Sequence, residues 1–123
     1  MNTDEHGCLT EKVLGAVFEV SNALGAGFLE KVYERALLIE LRDRGLKATS
    51  QTSLPVSYKG QPVGEYFTDI LVEDILVIEL KCVDHLAKEH MAQCLNYLRA
   101  SGKKICLLIN FQKPKVEWKR IVF

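Results

Sequence analysis

Apolar positions recur at two different spacings along this chain, and the switch between them separates helices from strands. Leu9, Val13, Ala16, Val17, Val20 and Leu24 fall three and four apart, which predicts a helix from about Thr10 to Leu24, ended by Gly25 and Gly27. A second helix is expected from near Leu29, with Val32, Tyr33, Ala36, Leu37 and Leu41 on its apolar side. Arg42, Arg44 and Gly45 supply its basic last turn and C-terminal cap. The spacing then changes to two. Leu54, Val56 and Tyr58 alternate as far as Lys59-Gly60-Gln61, and Val63 to Val72 and Leu76 to Val83 read as two further strands of a meander. Helical spacing returns from about Leu86 to Ala100, where Met91, Cys94, Leu95 and Leu98 share one side before Ser101-Gly102. Lys104 to Asn110 reads as a buried strand. Pro114 separates it from a last strand, Val116 to Phe123, which its alternating charges assign to a sheet edge. The order ααβββαββ predicts an α/β fold with a mixed sheet flanked by helices.

Composition limits the function classes. With 123 residues, 48% of them hydrophobic, residues 1–123 are expected to form one domain whose core needs neither disulfide nor metal to fold. Lys plus Arg is 16 and Asp plus Glu is 16, so no global field announces a polyanionic partner. The distribution is uneven, because from Lys103 onward six basic residues face Glu117 alone, which permits a local anionic contact. The polar start, MNTDEHGC, resembles neither a signal peptide nor a membrane span, and a cytoplasmic protein with no membrane partner is expected. Cys8, Cys82, Cys94 and Cys106 include no CxxC pair, and three lie in apolar runs where a thiol serves as a small core residue. His85 and His90 do not share a helical face well, and His6 stands apart, so no histidine pair makes a metal site.

The segment TDILVEDILVIELK is the most informative, because it inserts Asp69, Glu79 and Lys81 into runs that should otherwise be buried strand. A buried carboxylate must be paired, protonated or metal-bound. If Glu73, Asp74 and Ile75 form a three-residue loop, Val72 faces Leu76 and, counting outward, Asp69 lies opposite Glu79 on one face, with Lys81 beside it. A two-residue turn at Glu73-Asp74 would send Asp69 and Glu79 to opposite faces. In the first register the two carboxylates, at about 4 Å, would repel by roughly 4 kcal/mol at an effective dielectric of 20. A divalent cation removes that conflict, and all-oxygen ligation favours Mg²⁺ or Mn²⁺ over zinc. Water acidified by such an ion and positioned by Lys81 could attack a phosphodiester.

Asp69 followed by Glu79-Leu80-Lys81 resembles the Asp…(Asp/Glu)-x-Lys signature of the PD-(D/E)XK nuclease superfamily, with Thr68 where the name has Pro. Gly27-Phe28-Leu29-Glu30-Lys31-Val32-Tyr33 is similar to the string that names the GxxExxY family of that superfamily. Gln93-Cys94-Leu95-Asn96-Tyr97 resembles the Q-x-x-x-Y motif of its exonuclease branch, and Leu107-Leu108-Ile109-Asn110-Phe111 continues the likeness. The resemblance implies a restriction-endonuclease-like fold and a Mg²⁺-dependent nuclease acting on nucleic acid, DNA foremost. It implies Asp69 and Glu79 as metal ligands, the Leu80 carbonyl as a backbone ligand and Lys81 as the water-orienting or charge-stabilising group. Glu30 would approach the same centre from the second helix. Gln93 and Tyr97, one helical turn apart, would steady the metal shell or contact phosphate.

Plainer roles compete with these. Glu30 in a first helical turn is favoured by the macrodipole, and Tyr33 and Tyr97 suit the rim of a core. Asp69, Glu79 and Lys81 could form a structural ion cluster, although one ammonium leaves a carboxylate over. Two rival functions follow: a nucleic-acid- or protein-binding module that keeps the fold without activity, and a structural subunit whose acidic pocket takes a partner's Lys or Arg. The final strand, ending Ile121-Val122-Phe123, also offers an edge through which a homodimer could pair.

Overall fold

In the computed structural model, which describes residues 3–123 and side chains from His6 onward, the two periodicities resolve into eight elements. They are α1 (Thr3–Leu24), α2 (Glu30–Asp43), β1 (Ala48–Tyr58), β2 (Gln61–Val72), β3 (Leu76–Lys81), α3 (Lys88–Ser101), β4 (Ile105–Asn110) and β5 (Glu117–Val122). The five strands make one sheet in the order β1-β2-β3-β4-β5. Neighbours are antiparallel except β3 and β4, which run parallel and are joined through α3, as a parallel pair requires. The α/β class, the mixed sheet and the ααβββαββ order are those the sequence predicts.

The sheet is buried on both faces at its centre. On one side Leu76, Ile78 and Leu80 of β3 and Ile105, Leu107 and Ile109 of β4 meet Val13, Ala16, Val17 and Val20 of α1 and Tyr33, Leu37 and Leu41 of α2. On the other, Leu71, Val77, Cys106 and Leu108 meet Cys94 and Leu98 of α3. Burying one such aliphatic side chain stabilises by about 1.5–3 kcal/mol, so these layers hold the sheet between its helices. Strands covered twice read as unbroken apolar runs, and a charge within one is buried with it. Glu79 is accordingly only 6% exposed.

The loop between β2 and β3 decides which charges meet. Val72 pairs with Leu76, so Glu73, Asp74 and Ile75 form the odd-length loop, and the two-residue alternative is excluded. Glu73 (φ 54°) and Asp74 (φ 60°) are both left-handed, a conformation that side chains disfavour. Two hydrogen bonds to Lys47 hold it: the Glu73 N–H donates to Lys47 O (2.7 Å), and the Lys47 N–H donates to the side-chain Glu73 Oε2 (2.6 Å). Lys103 Nζ donates to Asp74 O (2.9 Å) and Oδ1 (3.1 Å) from the far side.

Several boundaries differ from those the periodicity suggests. Helix α1 begins at Thr3 rather than Thr10, and Thr10 Oγ1 donates to His6 O (2.8 Å), a bond that requires the helical turn already in place. Helix α3 begins at Lys88 rather than Leu86, because the Leu86 N–H is held by Glu117 Oε1 (3.1 Å) and the Ala87 N–H by His90 Nδ1 (2.9 Å). Strand β3 stops at Lys81 rather than Val83. There Asn110, fully buried, replaces strand pairing: its Nδ2 donates to Val83 O (2.8 Å), while its Oδ1 accepts from Val83 N (3.1 Å) and Gln112 N (3.1 Å). Asn110→Ala would strand these backbone groups, so it should lower unfolding free energy in urea by about 3 kcal/mol. Hydrogen exchange should quicken first at residues 82–86.

Candidate active site

The register of β2 and β3 brings the sequence-predicted carboxylates together. Their ladder runs Val72↔Leu76, Leu71↔Val77 and Ile70↔Ile78 and then stops. The next pair in that register is Asp69 and Glu79, which face the α3 side with Leu71 and Val77; Lys81 follows two residues on. Beyond the last paired rung the Asp69 carboxylate takes over, with its Oδ2 accepting the Leu80 N–H at 2.7 Å. Because a strand residue's N–H and C=O point to the same side, the Leu80 carbonyl also opens into this gap between β2 and β3. The Lys81 carbonyl turns the other way and accepts the Phe111 N–H (3.0 Å).

The electrostatics are those of carboxylates withdrawn from water and set close together. Burial, and then the neighbouring Asp69 charge, push the Glu79 carboxyl up to about 8, with the Thr68 side chain and then Lys81 offsetting only part. Asp69 is raised chiefly by burial, against its bond from Leu80 N–H. Glu79 Oε1 is buried with no hydrogen-bond partner. Tyr97, buried on α3, is pushed up to about 12 by burial and then by the Glu79 charge, so its hydroxyl remains protonated beside the cluster.

The G-x-x-E-x-x-Y segment explains how Glu30 reaches the same place. Gly27, at φ 107°, lets the interhelix loop fold back. The buried Tyr33 then clamps that loop: its Oη donates to Gly25 O (2.6 Å) and accepts the Phe28 N–H (3.3 Å), while its ring stacks on Phe111 with centroids 4.5 Å apart. Glu30, at the first position of α2, is thereby brought beside Asp69 and Lys81. Its carboxyl is raised by burial first and by Asp69 second, and is lowered by Lys81 and by the Cys82 backbone N–H. Tyr33 is thus a positioning residue, and the core-rim role expected of it is only part of its work.

Two participants were missed from the sequence. Gln51, left-handed at φ 50° in β1, spans from α2 to the site: its Nε2 donates to both oxygens of Glu34 (3.3 Å each) and to Asp69 Oδ1 (3.4 Å). Glu34 is 6% exposed and also accepts from Lys31 Nζ (3.3 Å). A glutamine in a polar strand carries no signal of this role, whereas Glu34, one residue beyond Tyr33 on α2, could have been suspected of burial. Gln93 stands apart. It is exposed on α3, lines an open cleft with Tyr66, and makes no side-chain hydrogen bond to the carboxylates among the described residues.

The donors present suit a hard divalent cation. Among the described residues no three His, Cys, Asp or Glu side chains form a ready-made cage. Two carboxylates and one carbonyl, with waters completing the shell, are what Mg²⁺ or Mn²⁺ accepts. The unpartnered Glu79 Oε1 and the raised Asp69 and Glu79 carboxyls are the marks of a site short of positive charge.

Two consequences can be measured without a substrate. In the metal-free protein Glu79 stabilises the fold through its protonated form, fully so below its ordinary value of 4.5, and that contribution is lost as pH rises through about 8. Thermal melts should therefore show wild type weakening from pH 6 to pH 9, with Glu79→Gln the more stable at pH 9 by on the order of 3–5 kcal/mol. Tyr33→Phe should cost about 1–2 kcal/mol in urea unfolding, because the Gly25 carbonyl loses its donor.

A family profile described as the PD-(D/E)XK nuclease superfamily matches residues 8–121. Among solved structures, SSO0001 superposes with a TM-score of 0.59 at 15% identity, over 75% of this chain and 48% of that one. An alkaline exonuclease (LHK-Exo) from Laribacter hongkongensis gives a TM-score of 0.55 at 17% identity, over 75% of this chain and 54% of that one. The same exonuclease in complex with dAMP gives 0.55 at 17% identity, over 75% and 53%. These likenesses establish the fold, and the chain spans about half the length of the structures it resembles. No curated protein matches it by sequence.

Proposed function

The chain belongs to the PD-(D/E)XK nuclease superfamily, whose profile spans nearly all of it, and from that premise we propose that it hydrolyses phosphodiester bonds of nucleic acid with a divalent metal, Mg²⁺ or Mn²⁺. Within the superfamily we assign it to the GxxExxY family on Gly27, Glu30 and Tyr33, and we take residues 1–123 as one nuclease domain. The observation that carries the reading is the pair of carboxylates, buried Glu79 and half-buried Asp69, beside the Lys81 ammonium, with Glu79 Oε1 left unpartnered. A purely structural ion cluster would leave no such surplus. DNA is the favoured substrate, because the similar exonuclease was solved with dAMP. No helix among the described residues is long and apolar enough to cross a membrane.

In this reading Asp69, Glu79 and the Leu80 carbonyl would hold the metal, which when bound supplies charge neutralisation and a more acidic attacking water. The Lys81 ammonium orients that water and meets the negative charge that develops on the phosphate oxygens. Glu30, whose carboxyl is raised by burial and by Asp69, gives its proton to the departing alkoxide and regains one from solvent, while the attacking water's proton passes to solvent. Asp69 is kept in position by the Leu80 N–H and by the Gln51 amide. Tyr97, with its proton retained, can donate to a substrate phosphate oxygen, and Gln93 meets the strand farther out.

The test is cleavage of single-stranded, duplex and branched DNA and of RNA in Mg²⁺ or Mn²⁺. Asp69→Ala and Lys81→Ala should each lower kcat by roughly 10²–10⁴-fold, and chelator should abolish cutting. Gln51→Ala, which loosens Asp69 without removing a ligand, should cost about tenfold. Tight nucleic-acid binding with no cleavage under any of these conditions would instead identify an inactive binding module.

A further inference from the structure

The β1–β2 hairpin is longer than the sheet needs. Strand β2 begins at Gln61, yet only Ile70 to Val72 pair with β3, so the part toward the Lys59-Gly60 tip projects as a two-stranded arm. Such a ribbon is marginal alone. It is fastened to α3 by Tyr66, whose ring meets Tyr97 edge-on with centroids 4.9 Å apart. Between arm and helix lie two adjoining clefts of about 390 and 470 Å³, with Tyr66 and Asn96 lining both.

The helical wall of these clefts carries Gln93, Asn96 and Arg99, three apart and thus on one stripe. Arg99 Nη1 donates to Asn96 Oδ1 (3.4 Å), and the guanidinium also lies 5.6 Å from the Phe123 ring centroid, so this cation is held at the cleft instead of sweeping through solvent. Tyr66 remains 41% exposed, with ring surface open to the cleft. Behind it the buried Tyr97 meets Tyr66 on one side and the charge of Glu79 on the other, so the cleft ends one side chain from the carboxylates. An open aromatic face, side-chain amides and one fixed cation are what an unpaired nucleotide needs: stacking, base-edge bonds and a phosphate partner. In a duplex the base faces are already stacked on one another, and exposing one costs a few kcal/mol.

We propose that this cleft seats single-stranded nucleic acid leading to the carboxylates, with Tyr66 stacking on a base, Gln93 and Asn96 meeting base edges and Arg99 pairing with a phosphate. The inference rests on the nuclease reading and names the form of its substrate. It is tested on the full chain with a single-stranded DNA oligonucleotide carrying 2-aminopurine and with the matching blunt duplex. On the single strand, Tyr66→Ala should raise KM roughly tenfold with kcat little changed, and Tyr66→Phe should behave as wild type. Arg99→Gln, which leaves the Tyr66–Tyr97 contact intact, should raise KM and flatten its salt dependence. In a Lys81→Ala background, 2-aminopurine fluorescence should be quenched on binding, remain quenched with Tyr66→Phe and recover with Tyr66→Ala. Cleavage by wild type with KM and quenching untouched by either Tyr66→Ala or Arg99→Gln, or cleavage of the duplex alone, would overturn the inference and leave the nuclease reading standing. Failure of wild type to cut or bind any oligonucleotide, as a protein-docking cleft would give, would overturn both.

Discussion

A buried carboxylate and a half-buried one set side by side with the Lys81 ammonium are a conflict that folding does not resolve. Asp69 and Glu79 meet because β2 and β3 are joined by an odd number of residues, and a strand's side chains change face with every residue. The chain stabilises that register with three separate attachments: the Glu73 N–H to Lys47 O, the Lys47 N–H to the Glu73 carboxylate and the reach of Lys103 to Asp74. Apolar burial then makes the register hard to leave, because a slip by one would turn Leu76, Ile78 and Leu80 away from α1 and α2. Stability of the core and convergence of the charges are therefore one constraint, which keeps the acidic pair in place although the pair itself costs free energy.

The surroundings steady that arrangement without neutralising it. The Leu80 N–H and the Gln51 amide fix Asp69, but Gln51 also binds Glu34 and so links one more carboxylate to the group. Tyr33 holds the loop that delivers Glu30, a further acid. Asn110 ties down the chain just after Lys81, so that ammonium is carried on a fixed strand end. Each device adds order, and the only further positive charge among them is Lys31, which pairs with Glu34 and not with Asp69 or Glu79. A shell of this kind offers oxygen donors that a divalent cation would satisfy, which is the basis of the proposed hydrolysis.

Much of this was legible in the sequence, for identifiable reasons. The element order followed from periodicity, because α1 and α2 bury one stripe each and β3 and β4 are covered on both faces. The meeting of Asp69 with Glu79 was legible as a choice between two registers, and the loop geometry decided it. Element ends were less legible where side chains replace backbone partners, as Asn110 does at Val83 and Glu117 at Leu86. Gln51 and Tyr66 were invisible because their roles depend on a twist in β1 and on an arm that folds back toward α3, neither of which leaves a pattern at short range. Gln93, expected from the motif to steady a metal shell or contact phosphate, lies exposed on α3 along the cleft with Tyr66.

The most direct test of the central claim is calorimetric titration of Mg²⁺ and Mn²⁺ into the metal-free chain at pH 7 in buffers of different ionisation enthalpy. The account predicts binding at one site that releases a proton, because Glu79, pushed up to about 8, must give up its proton to bind metal. That binding should vanish in Asp69→Asn and in Glu79→Gln. An absence of binding heat, or binding that both substitutions leave unchanged, would contradict it.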